Sequence, residues 1–399
     1  MRLLFSVQRY GTEVFGGAEQ HCRQFAERLC SRGHDVSVVT SCAVDYMDWA
    51  NHYAAGTTTI EGVTVHRLPV RRPRHYDEYA GIQSRVLGRD RSQAAAFLQR
   101  EWMRLQGPWM PDYPDAVADL SAAADVTIFF TYLYFSTWAG LPAARSATLL
   151  HPTAHDEAPI HIPLFDLVFR MPTAFAFSTD EEAAFVRRRF RIDPPGEVIG
   201  IGTEMELSGD VVAFRAQHGL GDTPYLVFVG RTEPVKGAQE LAHWFIAFKQ
   251  RHPAPLRLVM VGAEVHPVPR HPDIVMAGFV DDDVRDAAIR GALAMVQPSY
   301  FESFSMVLAE AWAAGVPAIV RNHSAALVGH CRRSGAGIPY GSYREFEAGL
   351  ELLIEDTELR AEMAERGRRY VADNYSWDTV MHRYENLLAQ VAGTRGAAA

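Results

Sequence analysis

Short apolar runs recur along this chain with helix-patterned segments between them, and that alternation restricts it to an open α/β sheet wound on both faces. The runs cover residues 3–7, 36–40, 63–68, 126–130, 147–150, 174–177 and 197–199, then 225–229, 256–261, 274–277, 293–296 and 318–320. The opening is the clearest stretch. A buried strand leads to the pair Gly16-Gly17 and then to a helix carrying Ala18, Cys22, Phe25, Ala26 and Leu29 on one face, stopped by Gly33 before the second strand. Residues 71–125 are less regular, with a helix expected over 93–105 and a Pro-rich turn over 107–114; a further helix is expected over 181–190. The polar stretch 202–223, punctuated by Gly202, Gly209, Gly219 and Gly221, separates the two series. A chain of 399 residues exceeds one core, so two domains are expected, at 1–205 and 206–375, with helices closing the chain. Open parallel sheets bind ligands beyond the carboxyl ends of their strands, and two such domains face to face would place a cleft between those ends.

Composition narrows the partners. A net charge of -9 argues against nucleic acid, whose phosphate backbone needs clustered excess Lys and Arg. The local basic runs Arg71, Arg72, Arg74 and Arg187, Arg188, Arg189, Arg191 read as solvated surface, or as a patch resting on anionic lipid. Cys22, Cys30, Cys42 and Cys331 form no C-x-x-C pair and suit a reduced, cytoplasmic setting. The first residues read as a strand rather than a signal peptide, and no apolar stretch reaches the roughly 18 residues of a membrane span.

The chemistry-bearing motifs each follow an expected strand. QPSYFESFSMVLAEAWAAGVP, residues 297–317, reads as a loop that becomes a helix, with Ser303 or Ser305 as N-cap and Gly315 and Pro317 ending it. Glu310 lies among apolar neighbours inside that helix and needs a partner, either a core arginine or a ligand. Glu302 lies before it, near the N–H groups of Phe304, Ser305 and Met306, which have no intrahelical acceptor and attract phosphate or hydroxyl oxygens. GRTEPVKG sets Arg231 and Lys236 five residues apart between Gly230 and Gly237; the two cations can hold a diphosphate or can be solvated loop charges. Gly16-Gly17 can turn backbone N–H groups toward an anion or make a simple turn, and it lacks the full dinucleotide pattern G-x-G-x-x-G. HPTAHDE holds His151 and His155 without the H-E-x-x-H spacing of zinc sites; a histidine here can bond a substrate hydroxyl or be structural. Thr131, Tyr132 and Tyr134 can line a sugar site or the core. Asp281, Asp282 and Asp283 precede an expected helix at 284–290, where N-capping and the helix dipole explain them better than a metal.

Taken in order, GGAE at 16–19, the histidine of TAHDE, GRTEPVKG, and ESFSMVLAEAWAAGVP resemble the motifs of the GT4-type retaining glycosyltransferases of GT-B fold. The resemblance implies two Rossmann-like domains across a cleft, with the acceptor on the first and the nucleotide-sugar donor on the second, and a last helix, 376–392, that returns to the first domain. It implies that Arg231 and Lys236 bind the donor diphosphate and stabilise its charge without a metal or other cofactor. Glu302 would meet sugar hydroxyls, near the backbone of Phe304, Ser305, Met306 and Val307, and Glu310 the ribose hydroxyls. Gly16, Gly17 and Gly230 would lie near the phosphates, His155 near the sugar's primary hydroxyl, and Val280 against the base. Glu19, Thr131, Tyr132 and Tyr134 fall on the acceptor side. The implied reaction is transfer from a UDP- or GDP-type donor to a hydroxyl acceptor, small-molecule, lipid-linked or glycan, in surface-glycan, glycolipid or natural-product assembly. It would take place in the cytoplasm, with peripheral contact at the inner membrane face. The alternative on the same architecture is a sugar-nucleotide epimerase or a glycosyl phosphorylase. One position departs from the family pattern: Ser305 stands where glycine is usual.

Overall fold

A computed structural model describes residues 1–88, 94–253 and 255–394. Two units emerge, residues 1–199 together with the segment from Met381, and Gly200–Val380. The start of the helix expected over 93–105 lies outside the described residues; the described helix is Ala96–Gln106.

The first unit holds eight strands: β1 (Arg2–Ser6), β2 (Asp35–Ser41), β3 (Gly56–Ile60), β4 (Val63–Leu68), β5 (Val126–Phe130), β6 (Ala147–His151), β7 (Ala174–Phe177) and β8 (Gly196–Val198). Their order is β3-β4-β2-β1-β5-β6-β7-β8. All neighbours run parallel except β3, which pairs antiparallel with β4 through a two-residue turn at Glu61 and Gly62, both at positive φ (48° and 82°). Sequence reading missed β3 because GTTTI is an exposed edge strand without an apolar run. The inner strands carry the opposite signature: every residue of β5 is buried, and Phe129, Leu150 and Phe175 join Trp102, Phe165 and Phe190 in one core.

The second unit holds β9 (Tyr225–Val229), β10 (Arg257–Val261), β11 (Ile274–Gly278), β12 (Ala294–Gln297), β13 (Ala318–Arg321) and β14 (Gly337–Tyr340), in the order β11-β10-β9-β12-β13-β14 and parallel throughout. Leu226, Phe228, Leu258, Met260 and Ile319 pack with Phe245 and Phe346 from the covering helices, each such side chain contributing on the order of 1.5–3 kcal/mol by leaving water.

In both sheets the chain grows outward in two directions from a central pair, β1/β5 in the first and β9/β12 in the second. At such a switch point the loops leave the strand ends in opposite directions and open a crevice. The GRTEPVKG and PSYFESFS loops leave β9 and β12, so topology alone brings them together. The last helix, Trp377–Gly393, places Tyr384 in the first unit, where its hydroxyl is 2.8 Å from His151 Nε2.

Candidate functional site

The two loops of the second unit are joined at several points. Tyr300 N–H donates to the Val235 carbonyl (3.0 Å), and Gly237, at φ 71°, packs so closely on Pro298 that a Cβ there would strike its backbone oxygen. Only glycine fulfils both demands. Beneath this junction Glu240 accepts from Arg321 and from the Tyr300 hydroxyl, and Arg321 lies 4.5 Å over the Tyr300 ring. The result places Lys236 Nζ 2.7 Å from Glu302 Oε1. Two residues 66 positions apart in the chain thus form one ammonium–carboxylate pair, with Glu302 mostly buried and Lys236 one-third exposed. Arg231 is more open, its Nη1 3.3 Å from Glu233 Oε1.

Ser305 is the N-cap by position of the helix Met306–Ala313, but its hydroxyl caps nothing. Its backbone sits at φ 78° and ψ 82°, a left-handed conformation that strains a side chain, and its hydroxyl accepts a hydrogen bond from Gln297 Nε2 (2.8 Å). The expected serine cap is therefore corrected: the chain adopts a glycine geometry here and the hydroxyl is directed to the end of β12. The same Gln297 amide lies 3.5 Å from Glu302. Gln297 had no role in the sequence reading, although a glutamine closing an apolar strand is a visible signal. Phe304 is buried between His330 and Tyr375, while Met306 and Val307 are half-buried. Gly230 follows β9 directly, and Val280 is half-buried just after β11.

Glu310 is mostly buried, with its side chain 13% exposed. Burial pushes its carboxyl above the usual range and the Arg285 guanidinium opposes that shift. Arg285 stands 3.9 Å away, too far for a hydrogen bond, and Oε2 has no partner among the described residues. Arg285 comes from the helix Asp282–Arg290, whose aspartates correct a second expectation. Asp281 is the N-cap by position and makes no capping hydrogen bond; Asp282 instead holds Arg285, and Asp283 accepts from Ser208.

The first unit carries the other expected residues. Gly16 and Gly17 open the helix Gly17–Ser31. A Cβ at Gly16 would strike Glu19 Oε2 and lie 3.0 Å from Arg9 Nη2, whereas one at Gly17 would meet open space. Glu19 is buried, its Oε1 accepting from Arg9 Nε (2.8 Å), Arg9 Nη2 and Gln8 Nε2 (2.8 Å). Its carboxylate is engaged inside the protein, so the Arg9–Glu19 pair, unread in the sequence, explains the need for glycine at position 16.

Thr131 lies at φ 58° and takes the chain off the line of β5. Tyr132 consequently packs in the core against Phe165 and Phe169, which corrects its expected place on a ligand wall; Tyr134 rests half-buried against Trp49. The Tyr132 hydroxyl donates to Glu157 (2.7 Å), and the other Glu157 oxygen lies 3.5 Å from His155 Nε2. Burial raises the Glu157 carboxyl, but His155 and Tyr132 outweigh it and hold it below its ordinary value. Buried Glu182 accepts from the Ala154 and Ser178 N–H groups and tethers the loop that carries His155; burial pushes its pKa up to about 7. His151 is buried against His21, Phe130 and Tyr384, a structural histidine.

Residues 212–370 match the family model of the glycosyl transferases group 1. A D-inositol 3-phosphate glycosyltransferase of Stackebrandtia nassauensis is 26% identical over 96% of this chain and 88% of its own length, and an uncharacterized glycosyltransferase of Methanocaldococcus jannaschii is 22% identical over 97% of each. Among solved structures, a sucrose-phosphate synthase from Thermosynechococcus elongatus superimposes with a TM-score of 0.73 at 18% identity, covering 98% of this chain and 99% of that one. Anabaena HepE in complex with UDP and glucose does so with a TM-score of 0.68 at 15% identity, over 98% of this chain and all of that one.

Proposed function

Because residues 212–370 of this chain match the group 1 glycosyl transferases, we propose that it moves a sugar from a UDP- or GDP-type donor to a hydroxyl acceptor with retention of configuration and without a metal. The observation that carries the reading is the pairing of Lys236 with Glu302 across the β9/β12 switch point, beside the N-terminus of the helix that bears Glu310. Lys236 and Arg231 take the donor diphosphate and stabilise the negative charge that builds on it as the glycosidic bond breaks. Glu302 then turns from the ammonium to the sugar hydroxyls, and the free N–H groups of the first helical turn, from Ser305 to Val307, face sugar or phosphate oxygens. Glu310 receives the ribose hydroxyls, Val280 the base, and His155 the sugar's primary hydroxyl. Gly17, with open space above its Cα, approaches the phosphates.

Relatives named for a phosphorylated inositol support a small hydroxylated acceptor. Cytoplasmic residence is supported by four free cysteines, three of them buried. No described helix is long and apolar enough to cross a membrane, so any membrane association is peripheral in this reading.

The test is a thermal-shift and turnover screen of UDP- and GDP-sugars on the wild type, Lys236→Ala and Glu310→Ala. A charge-assisted contact is worth about 1.5–3 kcal/mol, so each variant should lose on the order of tenfold or more in donor affinity. Without ligand, Lys236→Ala should melt close to the wild type, since a partly exposed ion pair contributes about 0–1 kcal/mol. Donor affinity and turnover unchanged in both variants would overturn the assignment.

A further inference from the structure

Glu310 presents an unusual combination: a mostly buried carboxylate, with a cation nearby that does not bond to it. Arg285 donates through Nη1 to Asp282 Oδ1 (2.7 Å), and through Nη2 and Nε to Asp286 Oδ1 (2.9 and 3.2 Å). Its hydrogen bonds are spent on its own helix. Toward Glu310 Oε1 it offers charge at 3.9 Å, and Glu310 Oε2 accepts from no described residue. Asp282, with its side chain 80% exposed, and Asp286 hold the guanidinium plane away from Glu310. A core ion pair optimised for stability would close that gap, because a buried carboxylate left without donors costs about 1–3 kcal/mol or more. The gap leaves the lone pairs of an anionic oxygen pair available for donors supplied by a ligand.

We propose that Arg285 is a positioning and specificity residue that keeps Glu310 as a charged, unoccupied acceptor for the vicinal hydroxyls of a ribose-bearing nucleoside diphosphate. The proposal rests on the reading of Glu310 given above and assigns to Arg285 a role separate from contact with the ligand. Lysine at 285 keeps the charge and should keep most of the effect. Glutamine is shorter than arginine and uncharged, so it leaves Glu310 without the cation that Arg285 supplies at 3.9 Å.

The experiment measures binding of UDP, GDP and their 2′,3′-dideoxy counterparts to the full chain by calorimetry, in the wild type, Arg285→Gln, Arg285→Lys, Glu310→Gln and the Arg285→Gln/Glu310→Gln pair. The wild type should prefer the ribose form of one nucleotide by on the order of tenfold or more, a preference that Glu310→Gln abolishes. Arg285→Gln should remove most of that preference while leaving affinity for the dideoxy nucleotide within about twofold, Arg285→Lys should keep it, and the double variant should match Glu310→Gln alone. Full ribose preference in Arg285→Gln overturns the inference, as does a loss in Arg285→Lys equal to that in Arg285→Gln; the lysine variant decides the matter if the glutamine variant does not fold. A ribose preference that survives Glu310→Gln, or no binding of either nucleotide by the wild type, overturns the reading beneath it as well.

Discussion

Ser305 shows how a single residue can be read correctly in place and incorrectly in action. Its backbone occupies a conformation that costs a non-glycine residue about 1–3 kcal/mol, offset in part by the hydrogen bond from Gln297, worth about 0.5–1.5 kcal/mol. Replacing it with glycine removes both and adds roughly 0.5–1 kcal/mol of unfolded-state entropy to be lost on folding. The terms nearly cancel, so Ser305→Gly should lie within about 1 kcal/mol of the wild type in chemical denaturation. Ser305→Ala keeps the strain and loses the bond, and should be about 1 kcal/mol less stable than the wild type. An alanine variant as stable as the glycine variant would remove the strain argument. The sequence marked Ser305 as a departure from a glycine pattern; the positive φ supplies the reason that glycine suits the site.

At the scale of elements, the exit of β1 into the helix Gly17–Ser31 depends on the pair Arg9–Glu19, with Arg9 4% and Glu19 5% exposed. Arg9 Nη1 also donates to the Val44 carbonyl, so one guanidinium ties the strand, the glycine turn, the helix and the segment after β2 together. Breaking a buried pair leaves an uncompensated charge, and Glu19→Ala should cost about 3–5 kcal/mol. Arg9→Met combined with Glu19→Leu should cost less than Glu19→Ala alone, as read from urea denaturation midpoints; a double variant that loses as much as the sum of the single ones would show that the two residues act independently. Glu19 was visible in GGAE, but its partner was not, because nothing in the sequence says that the residue after a strand end turns inward.

For the whole molecule, acid stability follows from histidines held neutral in both units. His21 in the first and His330 in the second are each pushed by burial down to about 3, and burial also lowers His151. The unfolded chain takes up these protons near pH 6.5, whereas the folded chain takes up those of His21 and His330 only near pH 3 and that of His151 well below its ordinary value, so stability is full above pH 6.5 and falls as pH drops below it, by about 1.4 kcal/mol per pH unit per histidine. Glu182 acts oppositely: its carboxyl, raised to about 7, adds stability as pH falls from 7 toward the ordinary carboxylate range. Glu310, whose carboxyl burial also raises, acts in the same direction as Glu182, and the three histidines oppose both. Neither ring nitrogen of His21 has a partner among the described residues, so His21→Phe loses no hydrogen bond. It should flatten the decline between pH 7.5 and 5.5 by roughly 1 kcal/mol; the same slope as the wild type would refute the argument.

The two series of strands, the turn glycines and the order of the motifs are local properties, carried by apolar runs and backbone freedom over a few residues, and the sequence by itself determined them. Which side chains meet was decided by the tertiary structure. Lys236 reaches Glu302 because strand order sets β9 beside β12, and Tyr132 enters the core because Thr131 turns the chain. Glu310, for which the sequence offered a core arginine or a ligand, has an arginine at 3.9 Å that two aspartates hold back. Such distances depend on packing between residues far apart in the chain, and no local pattern encodes them.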